Sequence, residues 1–375
     1  MTVWFSGAGA QPQVVDAEVV LVEDGVLRLT GSGFGSKSPV APALYDDFEN
    51  GSDGAQIFGH PGSLWDGHFN GHHYTNPPTY DDSLSVDPGI GTCMRINHTL
   101  RESISWVWKT VEPTGEMYID VKMKMIIYDE QYPENVKPWR LYRSSDSSRA
   151  QNVYPSFRKA CDPTDVLNER AGGWGVDIPA VFDPGECWED MGGRSGWSRP
   201  NGLVNVMDWA TVQMLYGANT APAADGYAAF YVNGRILSKL EYGEGTGMCW
   251  LERGGETYDM LGIGNMASPG NYGCGGASLG SRTYYDHVYL DTTFQRVEFG
   301  NAPIYDQCTR REIQIPTAWS PTQVTASVKL GSFEDFDNVY AFVVDGQNRA
   351  SNGFPVRVTG DAGAPGTPGT PIREN

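Results

Sequence analysis

MYIDVKMKMIIY, residues 117 to 128, alternates without a break, with Met117, Ile119, Val121, Met123, Met125 and Ile127 on one side and Tyr118, Asp120, Lys122, Lys124 and Tyr128 on the other. Successive side chains of a strand point to opposite faces, so this period of two predicts a β-strand with one packed face and one face that meets solvent or ligand. WATVQMLY at 209–216 repeats the pattern, with Ala210, Val212, Met214 and Tyr216 set against Trp209, Thr211 and Gln213. In YAAFYVNGRIL at 227–237 the pair Asn233-Gly234 suits a type I′ turn and predicts a hairpin. A last strand is read in YYDHVYLD at 284–291.

Composition agrees with these strands. In 375 residues there are 46 Gly and 24 Pro, 12% aromatic and 19% charged residues, which describes short strands and turns with very little helix. The length predicts two domains. A net charge of -19 and a pI near 4.6 exclude a nucleic-acid backbone as partner, because phosphate binding needs a basic surface. No run reaches the roughly 18 apolar residues of a membrane helix, so no membrane insertion is expected. The opening MTVWFSGAGAQPQVVDAEVV lacks a basic region followed by an apolar core and does not read as an export signal.

The two ends read as parts of one small sandwich. VVDAEVVLVEDGVLRLTGSGFGSKSP at 14–39 gives two strands and a Gly-rich turn, too little to bury a core alone. Residues 310–358 supply three or four more strands, with Asp345-Gly346 as a hairpin turn. The predicted division is 1–40 and 301–359 for the two parts of this domain, 41–300 for a domain inserted between them, and 360–375 for a tail. That tail reads GDA-GAP-GTP-GTP and is either a stiff linker or a collagen-like trimerising segment. The stretch 161–202 is a long loop carrying Trp174, Trp188 and Trp197, which either approach a ligand or fill the loop's own core.

The end segments resemble the IPT/TIG immunoglobulin-like family, in Leu29 to Gly35 (L-x-G-x-G-F-G), Trp319 to Val328 and Ser351 to Gly353. The region 43–299 resembles the concanavalin-A-like lectin and glucanase sandwiches, polysaccharide-lyase-like proteins included, in ALYDDFENG (43–51), KPWRLYRSS (137–145), W-x-T-V-Q-x-x-Y (209–216), the hairpin 225–234 and DHVYLD (286–291). These resemblances imply an all-β chain: a jelly-roll β-sandwich inserted into a small immunoglobulin-like β-sandwich. They also imply a groove on the outward face of one sheet, where sugar rings stack on aromatics. Tyr118, Lys122, Lys124, Trp209, Thr211 and Gln213 are predicted to line it, Trp139, Arg140 and Tyr142 to flank it, and Trp174 to reach it from the loop.

No catalytic residue is assigned. A lyase would use Lys122, Lys124, Lys137, Arg140 and Arg143 to neutralise a uronate carboxylate, with Tyr118, Tyr142, His72 or His73 taking the α-proton. The sandwich-type hydrolases carry an E-x-D-x-E strand, and here only Glu116 and Asp120 share a face. No G-x-G-x-x-G opens a helix, so no nucleotide cofactor is expected, and no serine triad is expected either. His60, His68, His72 and His73 form either a metal site or a plain loop. Asp46, Asp47, Glu49, Asp286 and Asp291 either share a structural calcium or are surface acids. The six cysteines, Cys93, Cys161, Cys187, Cys249, Cys274 and Cys308, contain no C-x-x-C, which speaks against zinc, and their pairing stays open. The expected function is a non-enzymatic virion or extracellular protein of a bacteriophage particle: a decoration, fibre or tail-adhesin subunit binding a glycan or cell-surface polysaccharide and other virion proteins, with a homotrimer if the tail assembles. The alternative is an extracellular polysaccharide lyase or glycoside hydrolase.

Overall fold

The computed structural model describes residues 10–20, 25–71, 77–84, 86, 91–98, 104–127, 134–142, 152–153, 156–158, 175–177, 208–218, 227–241, 257–269 and 281–359. Among them every regular element is a β-strand except a 3-10 turn at Tyr305–Gln307, so the chain is all-β. No described helix is long and apolar enough to cross a membrane. The chain forms two compact units, 1–41 with 295–375, and 42–294.

The unit 42–294 holds two sheets. The first runs in the order Arg235–Glu241, Tyr227–Val232, Ala210–Gly217, Glu116–Ile127, Ser281–Asp291, Cys93–His98, Thr79–Asp81, with Leu44–Asp46 also on Ser281–Asp291. The second runs Gly175–Asp177, Ser156–Arg158, Glu134–Tyr142, Tyr258–Pro269, Ile104–Thr114, Gly67–Gly71, with Asn152–Val153 on Glu134–Tyr142. The chain passes back and forth between them, which is how a jelly roll is wound. Period-two alternation then decides the core. Met117, Ile119, Val121, Met123 and Met125 face Trp139, Leu141, Leu261 and Ile263 of the second sheet, joined by Val212, Met214, Tyr216 and Phe230. Each such side chain, buried fully, contributes about 1.5 to 3 kcal/mol. The hairpin closes as its residues dictate, with Asn233 at φ 49° and Gly234 at φ 74° between the partners Val232 and Arg235.

One irregularity matters for the outer face of the first sheet. Between Asp286 and Tyr289 the register against Glu116–Ile127 shifts, and His287 sits at φ 46°. The bulge lets Asp286 pair with Lys122 and Tyr289 with Asp120, both on the face away from the core.

The unit built from the two ends is a sandwich around Val14, Ala17, Val19, Leu27, Leu29, Phe34, Val297, Phe299, Val324 and Val343. Val26–Ser32 pairs with both Gln13–Val20 and Gln323–Ser327, with Leu29 opposite Val324, and Arg357–Thr359 runs parallel to Gln13–Val20. Gly33 and Gly35 of the turn sit at φ 75° and 71°, the left-handed conformation glycine tolerates. The strand Arg296–Gly300, read from sequence as the end of the middle region, pairs with Arg311–Trp319 and Tyr340–Val344 of this unit, because its alternate residues Val297 and Phe299 complete this core.

Candidate functional site

Six of the predicted residues, Thr211 among them, gather at the first sheet. Tyr118, Lys122, Lys124 and Gln213 lie on its outer face, and Trp209 immediately precedes Ala210–Gly217. The sequence predicts that this face meets solvent or ligand. Most of it is instead a buried, hydrogen-bonded layer: Tyr118 is 0%, Asp120 1%, Gln213 2% and Lys122 4% exposed. The Gln213 amide donates to Tyr118 Oη at 2.8 Å and to Asp120 Oδ2 at 2.6 Å, while the Tyr118 hydroxyl donates to Asp120 Oδ2 at 3.2 Å. Lys122 Nζ donates to Thr211 Oγ1 at 2.7 Å, and Tyr289 Oη donates to Asp291 Oδ2 at 2.7 Å. Buried polar groups need such partners, and here the side chains supply them to one another. Lys124, Thr211 and Trp209, at one end of the face, are half-buried.

The flanking trio divides between two faces. Trp139 does not flank a ligand face: its indole is 0% exposed in the sandwich core, with its ring 6.0 Å from that of Phe230. The reason is strand phase, since Trp139 and Leu141 point inward and Arg140 and Tyr142 therefore point outward on the second sheet. Trp174 lies outside the described residues, as do Trp188, Trp197, Arg143, His72, His73 and the side chain of Lys137.

Arg140 and Tyr142 join residues the sequence reading passed over. Trp106, Tyr142 and Met260 form an apolar cluster outside the sandwich core, with Phe69 and Trp108 half-buried against it. The Trp106 ring centroid lies 4.8 Å from Tyr142, 5.9 Å from Phe69 and 6.2 Å from Trp108, all edge-to-face. Two glycines lay the indoles down on the sheet. A Cβ at Gly67 would stand 2.1 Å from Cζ2 of Trp108, and one at Gly262 would stand 2.3 Å from Cε3 of Trp106. Arg140 pairs with Gly262, so its half-buried side chain shares this face. The signal was present in ISWVWKT, where Trp106 and Trp108 alternate with Val107.

A bracket fixes the strand carrying Trp108. Asp66 N–H donates to Trp108 O at 2.9 Å, and Asp66 Oδ2 accepts from Thr110 N at 2.7 Å and Thr110 Oγ1 at 2.5 Å. Lys109 Nζ reaches Asp66 Oδ1 at 3.1 Å and Leu64 O at 2.9 Å. Burial alone would raise the Asp66 carboxyl, but the Thr110 and Lys109 bonds outweigh it and hold the group below its ordinary value.

The histidine and calcium readings find other arrangements. His60 bonds Tyr80 Oη at 2.6 Å and Pro61 O at 2.9 Å, and the His68 ring lies 5.2 Å from Phe58. Asp46 accepts from Phe48 N at 2.9 Å and Trp65 Nε1 at 2.7 Å; burial pushes its carboxyl up against those bonds. Asp291 is bonded by Tyr289 and Thr293, and Asp286 by His287 N and Val86 N. Among the described residues no three His, Cys, Asp or Glu side chains converge as metal ligands. Cys93 and Cys308 are buried free thiols, and the other four cysteines lie outside the described residues.

No family model and no curated protein matches the chain. Among solved structures it is similar to the alginate lyase Aly36B, at 14% identity and a TM-score of 0.44 over 67% of this chain and 97% of that one. An endo-β-1,4-glucuronan lyase from the fungus Trichoderma reesei aligns at 12% identity and TM-score 0.39 over 68% and 96% of the two chains. The Emp47p carbohydrate recognition domain aligns at 9% identity and TM-score 0.37 over 68% and 99%. At these scores and identities the similarity fixes neither activity nor ligand for this chain.

Proposed function

We propose that the protein is a non-enzymatic carbohydrate-binding protein that uses the outer face of the second sheet. The observation that carries this reading is the aromatic cluster lying outside the sandwich core, with Trp108 half-buried and held flat over Gly67 and with Arg140 on the same face. An indole pressed onto a sheet offers its remaining face to a ligand, and the C–H face of a pyranose packs there while a guanidinium bonds hydroxyls or a carboxylate. Trp106, Tyr142 and Met260 are themselves buried, so Trp108 and Phe69 are the rings of the cluster left partly open to a ligand. In its finer form the proposal is an extracellular or virion-surface subunit of a phage particle, a decoration, fibre or adhesin, contacting other virion proteins and trimerising through the tail; sequence features alone support that part.

Titration of the purified protein with soluble glucans, alginate, glucuronan and pectin tests the reading. Binding that Trp108→Ala weakens supports it, and wild-type protein indifferent to every glycan refutes it. Arg140 and Tyr142, two residues apart on the same face with Tyr142 buried, supply the residue types of a polysaccharide lyase as second reading, because α-proton abstraction from a uronate uses a cation and a phenol. New absorbance from unsaturated chain ends in those mixtures would replace the first reading by the second.

A further inference from the structure

A second cluster lies on the first sheet, whose outer face is turned away from the aromatic one across the sandwich. Thr79, Arg95, Tyr284 and Lys124 are successive cross-strand partners, so they form one row over four strands. Their chain neighbours Tyr80, Met94, Tyr285 and Met123 are core residues, which places the row on the outer face. Directly opposed side chains stand roughly 4.5 to 5.5 Å apart at Cβ, close enough to share one small ligand. Arg282, two residues before Tyr284 on the same face, hydrogen-bonds the Tyr284 hydroxyl.

The proton count there is informative. Arginine only donates, so Tyr284 Oη accepts from Arg282 and keeps its own hydrogen to give. Burial raises the phenol above its ordinary value even against the Arg282 bond, so it remains a neutral donor at physiological pH. Arg95 is tied to Asp81 and lies 3.4 Å from Thr79 Oγ1, and the other oxygen of Asp81 accepts from Ser83 N at 2.9 Å. The row with Arg282 thus sets three cations, Arg95, Lys124 and Arg282, against two carboxylates, Asp81 and, two residues beyond Tyr284 on the same face, Asp286, in a chain whose net charge is -19. Lys124 and Arg95 are half-buried and Arg282 is exposed. A local excess of donors and positive charge in so acidic a molecule suits an anion rather than a hydroxyl.

We infer that Lys124, Tyr284 and Arg282, backed by Arg95, form a binding site for an anionic oxygen group, a carboxylate or sulfate. The site is separate from the stacking face and does not depend on the reading given to that face. The group arrives either on an acidic sugar chain or as a free ion.

Calorimetric titration of the full chain with oligoglucuronate, with neutral cello-oligosaccharide and with sodium sulfate at constant ionic strength separates these sources. Lys124→Gln and Tyr284→Phe should each weaken anion binding about tenfold or more, the usual worth of one hydrogen bond to a charged group. Oligoglucuronate binding with that loss, and without cello-oligosaccharide competition, supports the site with an acidic sugar as ligand. Sulfate binding with the same loss supports it with a free ion. If neither anion binds, or both variants bind as wild type does, the inference is overturned. Should Tyr284→Phe unfold, the half-buried Lys124→Gln decides alone.

Discussion

Gly67→Ala is the most economical test of how the aromatic face is built. The added Cβ would lie 2.1, 2.4 and 2.7 Å from Cζ2, Cε2 and Cη2 of Trp108. Carbon atoms rest at roughly 3.5 to 4.0 Å, so the indole must retreat by at least about 1.4 Å and tip away from the sheet. Overpacking costs about 1 to 3 kcal/mol, while replacing glycine in a strand returns about 0.4 to 1 kcal/mol through the unfolded chain. Because Trp108 is half-buried and can swing outward, the net loss should fall near the low end, about 1 kcal/mol. For a unit of this size that lowers Tm by about 2 to 4 °C. Glycan affinity should fall by about 2- to 12-fold, the equivalent of one misplaced aromatic contact of about 0.5 to 1.5 kcal/mol. Calorimetry with a glycan that the wild type binds, alongside a thermal melt, reads both numbers. A Gly67→Ala protein that binds as wild type does, while Trp108→Ala does not, would refute the flat-indole geometry.

Trp139→Ala should cost about 3 to 5 kcal/mol as a core cavity, whereas Trp139→Phe, folded at 20 °C, should bind glycan with wild-type affinity; lost affinity in the phenylalanine variant would return Trp139 to the ligand face. Asp66 has a depressed carboxyl, so its contribution is present above the ordinary carboxylate value and disappears as pH falls through the folded one; wild type and Asp66→Asn should differ in Tm at pH 7 and converge in acid, and a constant difference would contradict the bracket. Glu298, 0% exposed, accepts from Tyr305 Oη at 2.9 Å and is ion-paired with Arg296 and, at 3.5 Å, Arg311. Burial would raise its carboxyl, but the two arginines hold it below the ordinary value, so Glu298→Gln should lose on the order of 3 kcal/mol at pH 7 and flatten the acid limb of the stability curve. Urea unfolding within 1 kcal/mol of wild type would count against that network.

Strand existence was legible because alternation is a local property. Met117 to Met125 reached the core in the predicted phase, and Asn233-Gly234 closed its hairpin because both residues accept positive φ. Phase was less legible where both faces are apolar: in ISWVWKT, Trp106 and Trp108 look like core residues beside Val107, and only the packed sheets show that Val107 takes the core. KPWRLY carried enough information, since Trp139 must share a face with Leu141, yet residue type suggested a groove. Burial of the polar face was not legible at all. Alternation says that Tyr118 and Asp120 point away from the core; it does not say that Gln213, Tyr289 and Asp291 arrive from other strands to close a hydrogen-bonded layer. The same long-range pairing hid the anion cluster, whose Arg95 and Tyr284 stand far apart in the chain.

The two outer faces of this sandwich solve different problems. On the first sheet each buried polar group left without a partner would cost about 1 to 3 kcal/mol, so the layer closes on itself and leaves charge surplus only at the Lys124 end. On the second sheet Trp106 and Tyr142 are buried as well, while the Phe69 and Trp108 rings stay half-buried, with the cost of about 25 cal/mol per Å² returned when a sugar covers their open part. Sheets pack about 10 Å apart, so groups on opposite outer faces share no partner and should not couple. With a ligand long enough to touch both faces, Trp108→Ala combined with Lys124→Gln should therefore cost the sum of the single losses to within about 0.5 kcal/mol. A coupling above about 1 kcal/mol would mean that one ligand segment is held by both residues at once, which this packing forbids.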